Sequence, residues 1–199
     1  MPSMIRLATE DDAEGIQSIY APIVEHTPIS FEYEIPSVAE MRTRVQHKIG
    51  HFPWLVLDQD GEILGYVYAG SHSERAAYQW SVDVSVYIKS TVRRSGIGRA
   101  LYTSLFNLLR RQGFYNAYAG VSLPNDGSVG LHTALGFQPV GVYPHVGYKF
   151  GKWHDVGWWY LILQELVSEP IPPKTLAAIQ QLPEWDRLLA SGLALLKSS

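Results

Sequence analysis

A mixed α/β domain is the fold class predicted for this chain, on three observations. From Trp80 to Ile88, the apolar residues Trp80, Val82, Val84, Val86 and Ile88 alternate with Ser81, Asp83, Ser85 and Tyr87, the period of a β-strand with one packed face. Beyond a glycine-containing loop, Ile97, Leu101, Leu105, Leu108 and Leu109 recur at helical spacing until Gly113, which reads as a long helix. The remaining segments give the order strand, two helices, three strands, helix, strand, helix, two strands. That order predicts an antiparallel N-terminal half and one helical crossover after the fourth strand.

Met4 to Ala8 reads as a short strand, and Thr9 with Asp12 as a capping box that opens a helix through Ala13, Ile16 and Ile19, ending at Pro22. Glu25 to Pro36 holds two prolines and two aromatics and is expected to be an ordered surface excursion. Ser37 and Glu40 cap a second helix carrying Met41, Val45 and Ile49. Phe52 to Leu57 and Ile63 to Ala69 are strands joined by the turn D-Q-D-G-E. Gly70 to Gln79 is a polar connection into the central strand. After the long helix come a strand at Ala117 to Ser122, a helix starting near Asn125, and strands at Gln138 to Tyr148 and Trp153 to Leu166. Residues 1–166 are read as one domain. Residues 167–199 follow as a proline-rich linker, S-E-P-I-P-P-K, and two short amphipathic helical patterns that pack on the domain or on a partner subunit.

With 199 residues, 46% of them hydrophobic, the chain can bury a substantial core. A net charge of −3 gives no basic surface for nucleic acid or an anionic membrane, so small molecules are the expected partners. The absence of cysteine excludes disulfides, thiolate metal sites and an acyl-cysteine intermediate. The sequence shows neither a signal-peptide core at Met1 to Leu7 nor an 18-residue apolar run, and reads as cytoplasmic. His47 and His51 have the i, i+4 spacing of metal ligands, but Gly50 and Pro53 end the helix there and no third ligand completes a site, so no metal is expected.

The strand, glycine loop and helix junction carries chemistry, because the first turn of a helix presents unpaired N–H groups and the positive end of its dipole. Phosphates fit there, with Gly96 and Gly98 permitting close approach and Arg93, Arg94 and Arg99 adding charge. The spacing Arg93-x-x-Gly96-x-Gly98 is neither a Walker loop nor a dinucleotide fingerprint. It resembles the acetyl-CoA signature [QR]-x-x-G-x-[GA] of the Gcn5-related N-acetyltransferases (GNAT). A second block, N-x-x-S-x-x-L-H-x-x-L-G-F from Asn125 to Phe137, resembles that family's second hallmark, with His132 where many members place a tyrosine general acid. Y-A-P at 20–22, P-W-L-V at 53–56, L-P-N-D at 123–126, L-H-x-A-L-G-F at 131–137 and G-Y-K-x-G-x-W-H-D-V-G at 147–157 are similar to the phosphinothricin N-acetyltransferase subfamily. The resemblance covers about residues 4 to 166.

What the resemblance implies is a seven-stranded mixed sheet whose fourth and fifth strands splay apart around the acyl-pantetheine arm, and acetyl transfer from acetyl-CoA to the α-amino group of phosphinothricin, methionine sulfone or methionine sulfoximine. A homodimer is expected with it. Amine attack on a thioester needs a proton acceptor, because an α-ammonium group is mostly protonated at neutral pH. Asp83 or His132 could serve; the subfamily usually has Glu at the position of Asp83, and the shorter side chain favours relay through water. Asp83, Ser85 and Tyr87 on one strand, and Asn125, Ser128 and His132 on one helix, could converge on a single cleft. The resemblance further implies backbone N–H donors at Val84 or Val86 for the thioester oxygen, pyrophosphate binding by Arg93, Arg94, Ser95, Gly96, Ile97, Gly98 and Arg99, and pantetheine or amine contacts at Asn125 and Ser128. Acceptor contacts are assigned to Arg75, Tyr78 and Lys149, with Lys152 a further candidate and Phe31 and Trp54 as walls. Two other readings are an acetyltransferase for a peptide, lysine or polyamine, and a CoA-sensing module without catalysis.

Overall fold

The computed structural model describes residues 3–197. One seven-stranded sheet is built from β1 (Met4–Leu7), β2 (Trp54–Gln59), β3 (Glu62–Ser71), β4 (Ser81–Ile88), β5 (Asn116–Leu123), β6 (Gln138–Lys149) and β7 (Lys152–Ile162), in the order β1-β2-β3-β4-β5-β7-β6. Every neighbouring pair is antiparallel except β4 and β5. The parallel pair needs a crossover, and α3 (Ile97–Gln112) supplies it.

The apolar rows seen in the sequence divide onto the two faces of this sheet. On one face Leu101, Leu105 and Leu108 of α3 pack with Val82, Val84, Ala117, Ala119 and Val121. On the other, Ile16 and Ile19 of α1 (Ala13–His26) and Met41 and Val45 of α2 (Val38–Lys48) pack with Trp54, Val56 and Tyr66. The three α3 leucines are fully buried, each contributing about 1.5–3 kcal/mol relative to exposure. Strand alternation therefore sends Asp83, Ser85 and Tyr87 to the α1–α2 face.

Two sequence expectations about ends are corrected. Pro22 does not end the first helix, which continues to His26. Proline removes one helical hydrogen bond, but Ile23 and Val24 beyond it are buried, and that packing holds the last turn in place. The last strand stops at Ile162 rather than Leu166, because its partner β5 begins at Asn116; Leu163 N–H still reaches Tyr115 O at 2.7 Å.

The β4–β5 ladder has only three pairs and ends at Asp83↔Tyr118. His72 N–H donates to Ser81 O and Lys89 N–H to Leu64 O, so odd-numbered residues of β4 turn their backbone groups to β3. Val84 and Val86 consequently turn theirs toward the side on which β5 has departed. The sheet thus opens a gap whose apex is Asp83.

The chain beyond β7 returns along α3. Trp80 Nε1 donates to Ile171 O at 2.9 Å, and Lys174 N–H to Gln112 O at 2.7 Å. Leu176 and Ile179 of α5 (Leu176–Gln180) enter the same core as α3, and α6 (Trp185–Leu189) follows. Gly192 N–H donates to Ser104 Oγ at 3.1 Å, in a contact so close that a Cβ at Gly192 would drive into the Ala100 carbonyl. Lys197 N–H ends the path on Ser95 O at 2.9 Å, at the glycine loop itself.

Candidate active site

The loop before α3 has the backbone that close approach to phosphate requires. Gly96 has φ 89° and Arg94 φ 65°, left-handed conformations that turn the chain sharply into the helix. Ser95 Oγ holds the turn by donating to Val92 O at 2.6 Å. Gly98 is fixed by packing, since a Cβ would crowd Leu131 and Ile88. Arg93, Arg94 and Arg99 are exposed around the first turn of a 16-residue helix. Free amides, helix dipole and three guanidinium groups fit a pyrophosphate.

At the apex of the gap, Asp83 Oδ1 lies 2.7 Å from His72 Nδ1. His72 follows β3 directly; its ring stacks on Tyr118 at 4.5 Å and 25°, and lies 5.7 Å from Tyr78. Burial raises the Asp83 pKa above the ordinary 3.8, against the lowering effect of the His72 hydrogen bond. By sequence pattern His72 falls within the polar connection from Gly70 to Gln79. Its signal was the hairpin register, because extending β3 to Ser71 pairs it with Val82 and brings residue 72 beside Asp83.

His132 stands elsewhere. It is buried on the inner side of α4 (Asp126–Ala134), with Nδ1 2.8 Å from Ser128 O and Nε2 3.0 Å from the buried Tyr102 hydroxyl of α3. A carbonyl accepts only, so Nδ1 carries the proton and Nε2 accepts from Tyr102. Burial lowers the His132 pKa and keeps the ring neutral. The two polar rows stand on different faces of the sheet: Asp83 on the side of α1 and α2, His132 packed against Tyr102 of α3, with the gap between β4 and β5 lying between them. Asn125 caps α4, its Oδ1 accepting from Ser128 N–H at 3.1 Å.

On the Asp83 side a cavity of about 330 Å³ lies between α2 and the sheet, lined among others by Tyr20, Arg44, His47, Lys48, Trp54 and Tyr68. Lys48 Nζ stands 5.0 Å over the Tyr68 ring and next to Gly70, the cross-strand partner of Asp83. Burial lowers the Lys48 pKa, while the Asp83 charge pulls it up. Arg44 is held by Glu32 at 2.8 and 2.9 Å, and Tyr20 donates to the same carboxylate. Neither Arg44 nor Lys48 was selected from the sequence, although they stand at i and i+4 on the flank of the Met41 and Val45 stripe.

Of the expected acceptor contacts, Trp54 lines this cavity and Tyr78 stands at the His72 rim. Arg75 is exposed on the connection before it. Phe31 packs against Gly147 and His154. Lys149 is corrected outright: it is 3% exposed, and its ammonium donates to Val24 O, Thr27 O and Ser30 O at 2.6, 3.1 and 2.7 Å. The end of α1 leaves carbonyls without helical partners, and Lys149 satisfies them. Lys152 is exposed at the start of β7.

A mixed sheet parted between β4 and β5, with a glycine loop at the start of its crossover helix, is the architecture of an acyl-CoA-dependent transferase. Residues 5–158 match the family model "Acetyltransferase (GNAT) domain", and the chain belongs to the GNAT acetyltransferases, which take acetyl-CoA as acyl donor. It is 36% identical over 181 residues to phosphinothricin N-acetyltransferase of Streptomyces viridochromogenes, covering 91% of this chain and 97% of the relative. It is 33% identical over 172 residues to the L-methionine sulfoximine/L-methionine sulfone acetyltransferase of Pseudomonas paraeruginosa, covering 85% and 100%. A phosphinothricin acetyltransferase of Sinorhizobium meliloti, solved in complex with acetyl-CoA, superposes with TM-score 0.81 at 32% identity, over 86% of this chain and 94% of that one. No helix among the described residues is long and apolar enough to cross a membrane.

Proposed function

We propose that this enzyme acetylates the α-amino group of a small anionic amino acid of the phosphinothricin, methionine sulfone or methionine sulfoximine type, with residues 1–166 as the catalytic domain and 167–199 as an extension whose described part, to Lys197, braces α3. The observation that carries the reading is the cavity beside Asp83, where the Lys48 ammonium and the aromatic walls Trp54 and Tyr68 offer a carboxylate one cation and an aliphatic side chain one apolar surface. A space of about 330 Å³ is of the size that holds a small molecule.

Arg94, Ser95, Gly96, Ile97, Gly98 and Arg99 hold the pyrophosphate, with Arg93 adding charge. Asn125 and Ser128 border the pantetheine arm in the gap. Val84 and Val86 turn N–H groups toward the thioester oxygen, where charge develops during attack. Asp83 marks where the amine proton is drawn away. His132, with both nitrogens engaged, positions α4 against α3.

The same reading places the enzyme in the cytoplasm, with the acyl-CoA pool, and makes it a homodimer. Strand β6 is a sheet edge whose Val140, Val142 and Tyr143 are more than half exposed, as is Trp153 of the adjoining β7. An open apolar edge is closed by a second copy related by a two-fold axis. Sedimentation is expected to give twice the 22.3 kDa chain mass, and Val142→Lys to give the monomer. A wild-type monomer at micromolar concentration would refute the dimer.

CoA-thiol release measured across phosphinothricin, methionine sulfone, methionine sulfoximine, a polyamine and a lysine peptide tests the acceptor. One of the first three is expected to reach kcat/KM above about 10⁴ M⁻¹s⁻¹. Turnover confined to the polyamine or peptide would overturn the acceptor assignment.

A further inference from the structure

We propose that His72 is the catalytic base of this enzyme, and that Asp83 acts through it rather than on the substrate amine. The inference rests on the acetyltransferase reading above and names the group within that site which touches the amine.

The geometry is that of an oriented imidazole. Asp83 Oδ1 and His72 Nδ1 are 2.7 Å apart, a charge-assisted hydrogen bond. A carboxylate accepts only, so the proton of a neutral His72 sits on Nδ1 and its lone pair on Nε2. Among the described residues no group bonds Nε2. The ring is clamped by stacking on Tyr118 at 4.5 Å, by Tyr78 at 5.7 Å and, edge on, by Trp158 at 6.4 Å. Tyr118 is the last residue of β5 paired with β4, so the clamp stands where the strands part. The side chain of His72 is 27% exposed, enough to meet a ligand without losing its bond to Asp83.

The groups facing this pair from each packed element are Asp83 of β4, Tyr118 of β5, Tyr78 of the turn at residues 76–78, and Lys48 of α2, whose charge acts on Asp83. Asp83 stabilises the imidazolium that forms. A lone carboxylate is a weak base toward an α-ammonium group, whereas imidazole is the side chain whose ordinary titration lies nearest neutrality.

The step balances without a further reactant. His72 Nε2 takes one proton from R–NH₃⁺; the amine nitrogen forms its bond to the acyl carbon, and the C–S bond breaks. The departing CoA sulfur takes the second amine proton, the amide nitrogen keeps the third, and His72 returns its proton to solvent.

The test is the pH dependence of kcat/KM for His72→Gln, with imidazole added to His72→Ala. Both are measured on whichever amine in the acceptor panel turns over fastest, so a wrong acceptor and a wrong base give separate results. Expected are a fall in kcat of about 10²–10³-fold, loss of the acid limb of the profile, acetyl-CoA Kd within about twofold, and partial recovery of His72→Ala in imidazole. A His72→Gln profile superimposable on wild type would overturn the proposal. So would a lowered kcat that keeps the wild-type acid limb and shows no imidazole rescue, which marks a packing role only.

Discussion

Asp83→Asn is expected to lower kcat about 10³-fold, a barrier increase of about 4 kcal/mol, with acetyl-CoA affinity changed by less than about threefold. The substitution keeps the shape of the side chain, and its amide can still bond the ring 2.7 Å away. It reverses the direction of that bond: the amide N–H donates to His72 Nδ1, driving the ring proton to Nε2 and removing the lone pair from the side that meets the amine. It also removes the negative charge that stabilises imidazolium. The glycine loop proposed to hold acetyl-CoA, anchored by Ser95 Oγ on Val92 O and by Gly98 against Leu131 and Ile88, has no bond to Asp83 among the described residues, so its affinity should be kept. Folding is not expected to suffer, because burial already disfavours the Asp83 charge and a neutral amide relieves that cost. Thermal unfolding at or above the wild-type midpoint, together with collapsed turnover, is the combined result to look for. Turnover within about threefold of wild type would remove Asp83 from the reaction.

Sequence made some parts of the molecule legible and hid others for identifiable reasons. The central strand and long helix were readable because their periods, two for Trp80 to Ile88 and 3.6 for Ile97 to Leu109, report one-sided burial directly. The glycine loop was readable because left-handed backbone selects its residue type, as at Gly96. The end of α1 was misread because a local rule about Pro22 was outweighed by tertiary burial of Ile23 and Val24, which no local window contains. His72, Arg44 and Lys48 were passed over for the same reason: each acquires its meaning from a partner brought close by the hairpin or by the packing of α2 on β3, and single polar residues carry no periodic signal. His132 stood out by motif, but motif position did not reveal that Tyr102 and the Ser128 carbonyl occupy both of its nitrogens.

Lys149 shows what such a misreading would cost if acted on, and its replacement should produce a loss of stability rather than of substrate affinity. Lys149→Met is expected to lower stability by about 3 kcal/mol and the midpoint of thermal unfolding by about 6–12 °C. The ammonium binds the carbonyls of Val24, Thr27 and Ser30, which belong to the last turn of α1 and the loop after it. Methionine has similar length and apolar volume, so the cavity term is small; what is lost is three charge-assisted hydrogen bonds, leaving buried acceptors without donors. Arginine should not restore them, since a planar fork cannot direct N–H groups at three carbonyls grouped around one point. Ser30 bonds the Tyr20 hydroxyl at 2.7 Å, and Tyr20 and Glu32 line the cavity proposed for the acceptor, so loosening the loop should show first as a lower temperature at which activity fails. Well below that temperature, KM for the acceptor should stay within about twofold of wild type, because Lys149 does not line the cavity where Lys48 stands and its charge acts there only through Glu32. An unchanged midpoint with a tenfold rise in acceptor KM would instead place the Lys149 ammonium on the substrate.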